Sequence, residues 1–131
     1  MHKVELDKFQ GPLDLLLYFI RRDELDINDI PIAEITAEYL QIIEDMKAMN
    51  LSVAGEFILM AATLMRIKSK MLIPRAELDD LGEPIDPRTE LVQQLIEYKK
   101  YKDIADNLSK KWERLSYQHE RSISETFEDL D

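Results

Sequence analysis

The chain has 131 residues, of which 45% are hydrophobic and 34% charged, and its formal net charge is −10 at pH 7. That length suits one domain with an extension, and that hydrophobic content excludes wholesale disorder. The acid excess disfavours duplex DNA as a direct ligand, because phosphates are neutralised by clustered Lys and Arg. The absence of cysteine removes disulfides, thiolate metal sites and Cys nucleophiles.

The opening residues, Met1 to Asp7, carry no apolar core of the kind a secretion signal needs. Val4 to Phe9 alternate loosely and are predicted to form an extended lead-in. Gly11-Pro12 then opens a first helix, with Pro at a position where its missing N–H costs nothing. Leu13, Leu16, Leu17 and Ile20 recur at helical spacing through Arg22, and Asp23 to Ile30 read as a connector. A second helix is predicted to begin around Asp29-Ile30-Pro31, burying Ile32, Ile35, Tyr39, Ile42 and Met46. Asn50-Leu51-Ser52 breaks it, with Ser52 expected to cap the next helix.

The third helix, ending near Leu72 because Pro74 disfavours helical geometry at Ile73, is apolar on two stripes. Ala54, Ile58, Ala61, Met65 and Leu72 form one, and Met60, Leu64, Ile67 and Met71 the other. At about 100° per residue they span roughly 200°, twice the arc of about 100° usual for a surface helix. A helix of that kind is buried on more than one side, and the second side is expected to belong to another molecule. Its longest apolar run, Phe57 to Met65, is about half a membrane span, so a soluble intracellular protein is expected. Arg66, Lys68, Lys70 and Arg75 follow as a basic cluster, read as complementing the helix dipole.

Arg75 to Asp86 form an acidic loop with Gly82 and Pro84, the predicted hinge. Asp86-Pro87 restarts a fourth helix that runs to about His119, roughly 50 Å at 1.5 Å per residue. Leu91, Leu95, Tyr98, Ala105, Leu108, Trp112 and Leu115 mark its stripe, and its distal half, with Tyr101, Trp112 and Tyr117, is expected to project. Ser122 to Asp131 read as a mobile acidic tail with Ile123, Phe127 and Leu130 as apolar anchors. The predicted fold is therefore all-α. It comprises a three-helix N-terminal domain (1–74), an acidic linker (75–86), a long projecting helix (87–120) and a tail (121–131).

Reactive chemistry is sparse. His2 and His119 have no paired base or metal-ligand pattern, and Glu34, Glu38 and Glu56 lack the two Glu-x-x-His units of a di-metal bundle. Gly11, Gly55 and Gly82 stand alone, without a phosphate-binding loop. No catalytic residue, cofactor or metal is expected. Among the methionines, Met46 and Met65 are read as core, while Met60 and Met71 are balanced between internal packing and partner contact. Tyr98, Tyr101 and Trp112 lie near Lys99, Lys100 and Lys102, but in an acidic chain they read as anchors for a protein partner.

Four ordered segments carry a family resemblance. Phe9-Gln-Gly-Pro-Leu-Asp-Leu-Leu-Leu-Tyr18 is similar to the opening motif of the bacterial kleisins, the segregation and condensation protein A family. Leu25-Asp-Ile-Asn-Asp-Ile-Pro-Ile32 is a second match. Met60-Ala-Ala-Thr-Leu64, Ile67-Lys-Ser-Lys-Met-Leu72 and Pro74 together make a third. The fourth is Asp86-Pro-Arg-Thr-Glu-Leu91 leading to Glu97-Tyr-Lys-Lys-Tyr-Lys102. Residues 111–131 match less closely.

The resemblance implies a non-enzymatic subunit of a structural-maintenance-of-chromosomes (SMC) condensin. Its N-terminal helical domain would pack on the coiled-coil neck of one SMC subunit, and its central segment on a dimer of segregation and condensation protein B. The family's C-terminal winged helix, which caps the other SMC head, has no counterpart here, so the chain matches an N-terminal portion. A cytoplasmic location, with nucleoid association through SMC, is implied as well, with no direct DNA binding and no membrane. Met60, Leu64, Ile67 and Met71 are then expected at the SMC neck, with Ile58, Ala61 and Met65 facing the first two helices. Tyr98, Tyr101, Ile104, Leu108, Trp112 and Phe127 are expected at the B protein. The rival from another class is a self-associating helical scaffold.

Overall fold

In the computed structural model, residues 6–129 are described, with side chains through residue 122. A 3-10 turn, Leu6–Lys8, precedes four helices: α1 (Pro12–Arg22), α2 (Ile32–Ala48), α3 (Gly55–Leu72) and α4 (Thr89–Asp129). Where an extended lead-in was expected, the chain turns and buries Leu6; His2 lies outside the described residues.

The Gly11-Pro12-Leu13-Asp14 sequence starts α1 by three separate devices. Gly11 adopts φ 107 and ψ 176, a region that is essentially glycine-only. Pro12 takes the first helical position. Asp14, itself buried, accepts a hydrogen bond from the Gln10 N–H at 3.0 Å, tying the residue before the N-cap to the first turn of the helix.

The ends of α1 and α2 share one geometry. Glu24 (φ 52) and Asn50 (φ 57) sit in left-handed conformation just past each helix. Leu25 N–H donates to Ile20 C=O at 2.9 Å, and Leu51 N–H to Met46 C=O at 3.0 Å. These are the closing bonds of a Schellman motif, and Asn tolerates the conformation better than Glu.

Two starts differ from expectation. Pro31 occupies the N-cap rather than the first turn of α2. Ala54, not Ser52, stands at the N-cap of α3, with no side-chain cap. The end of α3 is as predicted: Ile73, before Pro74, is extended at φ −74, ψ 127.

The core gathers α1 (Leu15, Leu16, Leu17, Phe19, Ile20), α2 (Ile32, Ile35, Tyr39, Ile43) and α3 (Phe57, Met60, Ala61, Leu64, Ile67). It also takes Leu91 and Leu95 from α4, at 2% and 0% exposure. The first turns of α4 therefore complete the core, and the compact unit closes at Tyr98, with Lys99 opening a second. The boundary expected after residue 74 moves accordingly, because a three-helix core would leave those two leucines in water. Tyr39 is fully buried, and its hydroxyl donates to the Phe57 carbonyl at 2.7 Å, fixing α2 to the first turn of α3.

The expected hinge is instead a structured turn. Ile85 N–H donates to Glu77 C=O at 2.8 Å and Asp79 N–H to Glu83 C=O at 2.9 Å, around an isolated bridge between Leu78 and Pro84. The Asp79 carboxylate accepts from the N–H groups of Leu81 and Glu83, each at 2.9 Å, and Gly82 supplies the positive φ of 78. Arg88 then fastens the head of α4. It donates to Asp86, Asp29 and the Ile30 carbonyl, each at 2.8 Å, with its side chain 16% exposed. Beyond Tyr98, α4 continues as one helix to Asp129, so the backbone of the expected tail is helical to that point.

Candidate interaction surfaces

The two apolar stripes of α3 have opposite fates. Met60, Leu64 and Ile67, expected at a partner, point into the chain's own core, with Leu64 at 0% exposure. Ile58 and Met65, expected inside, are about half exposed, and Leu72 is 74% exposed. Ala61 is buried as expected, and Met71, near the helix end, stays largely open. In this chain the stripe of Met60, Leu64 and Ile67 is therefore the inward one. Phe57 is the signal that could have separated the two stripes: with it, the Met60 stripe carries the larger continuous volume, and cores fill with volume.

The outward face has its own order. Gly55, Ile58, Ala62, Met65, Ser69 and Leu72 are all exposed and recur at steps of three and four residues. That is the spacing of a heptad seam. Large side chains (Ile58, Met65, Leu72) alternate with small ones (Gly55, Ala62, Ser69), which let a second backbone approach closely. From Ile58 to Leu72 the seam is about 21 Å long at 1.5 Å per residue.

Leu59, 70% exposed, belongs to a different feature. It lines an open groove of about 930 Å³ between α3, the 73–87 segment and the first turns of α4, with Thr63, Ile73, Ile85 and Tyr98. The groove's charged lining is mixed, Glu56, Glu77, Asp86 and Glu90 against Arg66, Lys70 and Arg75, so it selects neither sign.

In the second unit, Tyr101, Ile104, Leu108 and Trp112 are each 60% or more exposed, and Leu115 and Tyr117 join them. Tyr98 belongs to the first unit, where it is partly buried against the core. Phe127 lies outside the residues whose side chains are described. Tyr101, Ala105, Leu108, Trp112 and Leu115 again follow four- and three-residue steps.

Elsewhere the side-chain chemistry is structural. Arg22 donates to Asp23 at 2.8 Å and Glu38 at 2.7 Å, and its guanidinium lies 5.6 Å and 5.3 Å from the Tyr18 and Phe19 ring centres. The hydrogen bond from Arg22 holds the Asp23 carboxyl below the usual carboxylate range, and that from Arg88 does the same to Asp86. Burial pushes the Tyr39 hydroxyl up, with the nearby Glu56 charge adding to it. Among the described residues no group of His, Asp and Glu side chains could hold a metal ion, and no helix is long and apolar enough to cross a membrane.

Exposed apolar side chains ordered into helical stripes mark surfaces on which another helix can pack. Comparison with known proteins shows the family. The family model described as segregation and condensation protein ScpA matches residues 19–130. Segregation and condensation protein A of Oceanobacillus iheyensis is 54% identical over 113 residues, 84% of this chain and 45% of the relative. The Bacillus subtilis protein of that name is 50% identical over 116 residues, 86% of this chain and 46% of the relative. The one from Caldanaerobacter subterraneus is 53% identical over 111 residues, 83% and 45% of the two chains. The chain belongs to the segregation and condensation protein A family, and it spans a little under half the length of these relatives.

Proposed function

We propose that this chain works as a non-enzymatic kleisin subunit of a bacterial SMC condensin, linking SMC ATPase heads and recruiting segregation and condensation protein B for chromosome condensation and segregation. Family membership over most of the chain supports the condensin role. The observation that carries the docking mode is the exposed heptad seam of α3. A seam of this period winds against other helices of the same period, and the two-helix neck of an SMC subunit is such a partner.

The neck contact is accordingly assigned to Ile58, Ala62, Met65 and Leu72, with Met71 the one member of the first-expected set still open to it. The B-protein contact is assigned to the second unit, through Tyr101, Ile104, Leu108 and Trp112, aromatic and aliphatic anchors of the kind that dominate interface energetics. A cytoplasmic, chromosome-associated location follows from the same reading.

Co-purification tests both halves. The chain should be retained by an SMC head bearing its neck and lost from a head without one, and retention by the neckless head refutes the seam assignment. A chain ending at Lys100 should keep the SMC contact and lose the B protein. Light scattering separates the self-association alternative, which requires a defined dimer of the isolated chain.

A further inference from the structure

The α3 seam is flanked on both sides by cations that have no ion-pair partner among the described residues. Taking Ile58 as the zero of the helical wheel, Arg66 falls about 80° to one side of the seam and Lys68 about 80° to the other. These are the positions that flank a coiled-coil seam and choose its partner by charge. Lys70, one turn on, is paired with Glu77 at 3.8 Å. The side chains of Arg66 and Lys68 make no ion pair or hydrogen bond among the described residues.

That is unexpected in a chain with 27 acids against 17 bases. The local sequence explains how it arises. Three and four residues from Arg66 stand Ala62, Thr63, Ser69 and Lys70, and from Lys68 stand Leu64, Met65, Met71 and Leu72. No acid lies within intrahelical reach of either cation. The first half of the seam, by contrast, is flanked by Ala54, Leu59 and Ala61, which carry no charge. Charge is confined to the C-terminal half.

We propose that the coil received by α3 carries acidic side chains on both of its helices, level with the turn holding Arg66 and Lys68, and that these two cations set the register in which it binds. This rests on the neck reading of the α3 seam. The apolar seam supplies contact area, which is tolerant of sliding by one heptad. A pair of cations at one level, each facing a different helix, is not. Charged pairs at the rim of an interface act chiefly on encounter rate and on the choice among partners and registers.

The test is equilibrium binding of the chain to a purified SMC head carrying its neck, in NaCl from about 50 to about 500 mM, a range over which exposed charges become screened. Arg66→Glu with Lys68→Glu should weaken binding on the order of a hundredfold at the low end, since like charges then face each other, with the gap closing as salt rises. Arg66→Gln alone should cost roughly fivefold, and it keeps the test open if the half-buried Lys68 position does not tolerate Glu. Lysine substitutions at the facing neck acids should restore binding to the reversed chain. Met65→Glu, on the seam itself, reports on the underlying reading.

If Met65→Glu abolishes binding while both charge variants bind as the parent does, the acidic-coil inference is overturned and the neck reading stands. If Met65→Glu also binds normally, the neck reading itself falls. If the parent chain binds duplex DNA and the charge reversal removes that binding while leaving SMC affinity unchanged, the cations serve phosphates, and the proposal is wrong.

Discussion

Leu64 and Met65 are neighbours on one helix, both apolar and of similar size, yet one is wholly enclosed and the other half in water. Their stripes differ in what accompanies them. Leu64 travels with Phe57, Met60 and Ile67, four bulky side chains that fill the space against α1 and α2. Met65 travels with Gly55, Ala62 and Ser69, which leave gaps wide enough for a second helix to approach closely. A core needs volume, whereas a docking seam needs knobs separated by holes. Hydrophobicity alone does not distinguish the two, and the alternation of size does.

That contrast is broken most severely from the inside. Leu64→Ala should destabilise the chain by about 3 kcal/mol, the middle of the range for a fully enclosed leucine, measured by urea denaturation. A loss under about 1 kcal/mol would mean that the inward face is loosely filled and the comparison between faces is misdrawn.

The attachment of α4 to the first unit comes next. Arg88→Ala removes a part-buried bond to the Ile30 carbonyl and two ion pairs with exposed acids; a loss of about 1–2 kcal/mol is expected after allowing for solvent screening. Because Arg88 lowers the folded-state value of Asp86, that carboxylate contributes stability above its unfolded value of about 4. The contribution disappears as pH falls through the depressed folded value. The deficit of the variant should therefore be steady from about pH 5 to 7 and shrink below about pH 4. A deficit that grows in acid would contradict the pairing. Smaller still, Glu24→Gly should stabilise by about 0.5 kcal/mol, relief of a left-handed Glu partly offset by backbone entropy, visible as a small rise in melting temperature.

How much of this was legible in the sequence follows from which physics is local. The Gly11-Pro12 start, the Pro74 stop and the helical period of each segment depend on a few adjacent residues, and they were read correctly. The turn at 77–85 has the composition of a hinge, but two cross-turn backbone bonds and the Asp79 carboxylate folding back on its own backbone give it order that composition does not reveal. The early extent of the core into α4 was missed for a related reason. Leu91 and Leu95 are no more apolar than Leu108 and Leu115, and what enrols them is Arg88 reaching the α1–α2 connector from 59 positions away. The inward direction of α3 was likewise a tertiary choice between two acceptable stripes. The resemblance to the family carried no information on which stripe of α3 turns inward.

The weakest expected effect on stability is the most informative about function. Met65→Ser removes an exposed apolar side chain that touches little of the folded chain, so its effect on unfolding should stay within about 0.5 kcal/mol. At the centre of the seam the same change deletes the largest knob between Ile58 and Leu72, and truncating a central apolar anchor commonly costs an interface more than about 1 kcal/mol. Unfolding and the proposed SMC binding should therefore separate for Met65, whereas for Leu64→Ala stability falls by about 3 kcal/mol and binding weakens with it, because the core that holds α3 in place is loosened. Measured side by side, two adjacent residues would report on two faces. Equal losses of stability at both positions would show that α3 has no outward face at all.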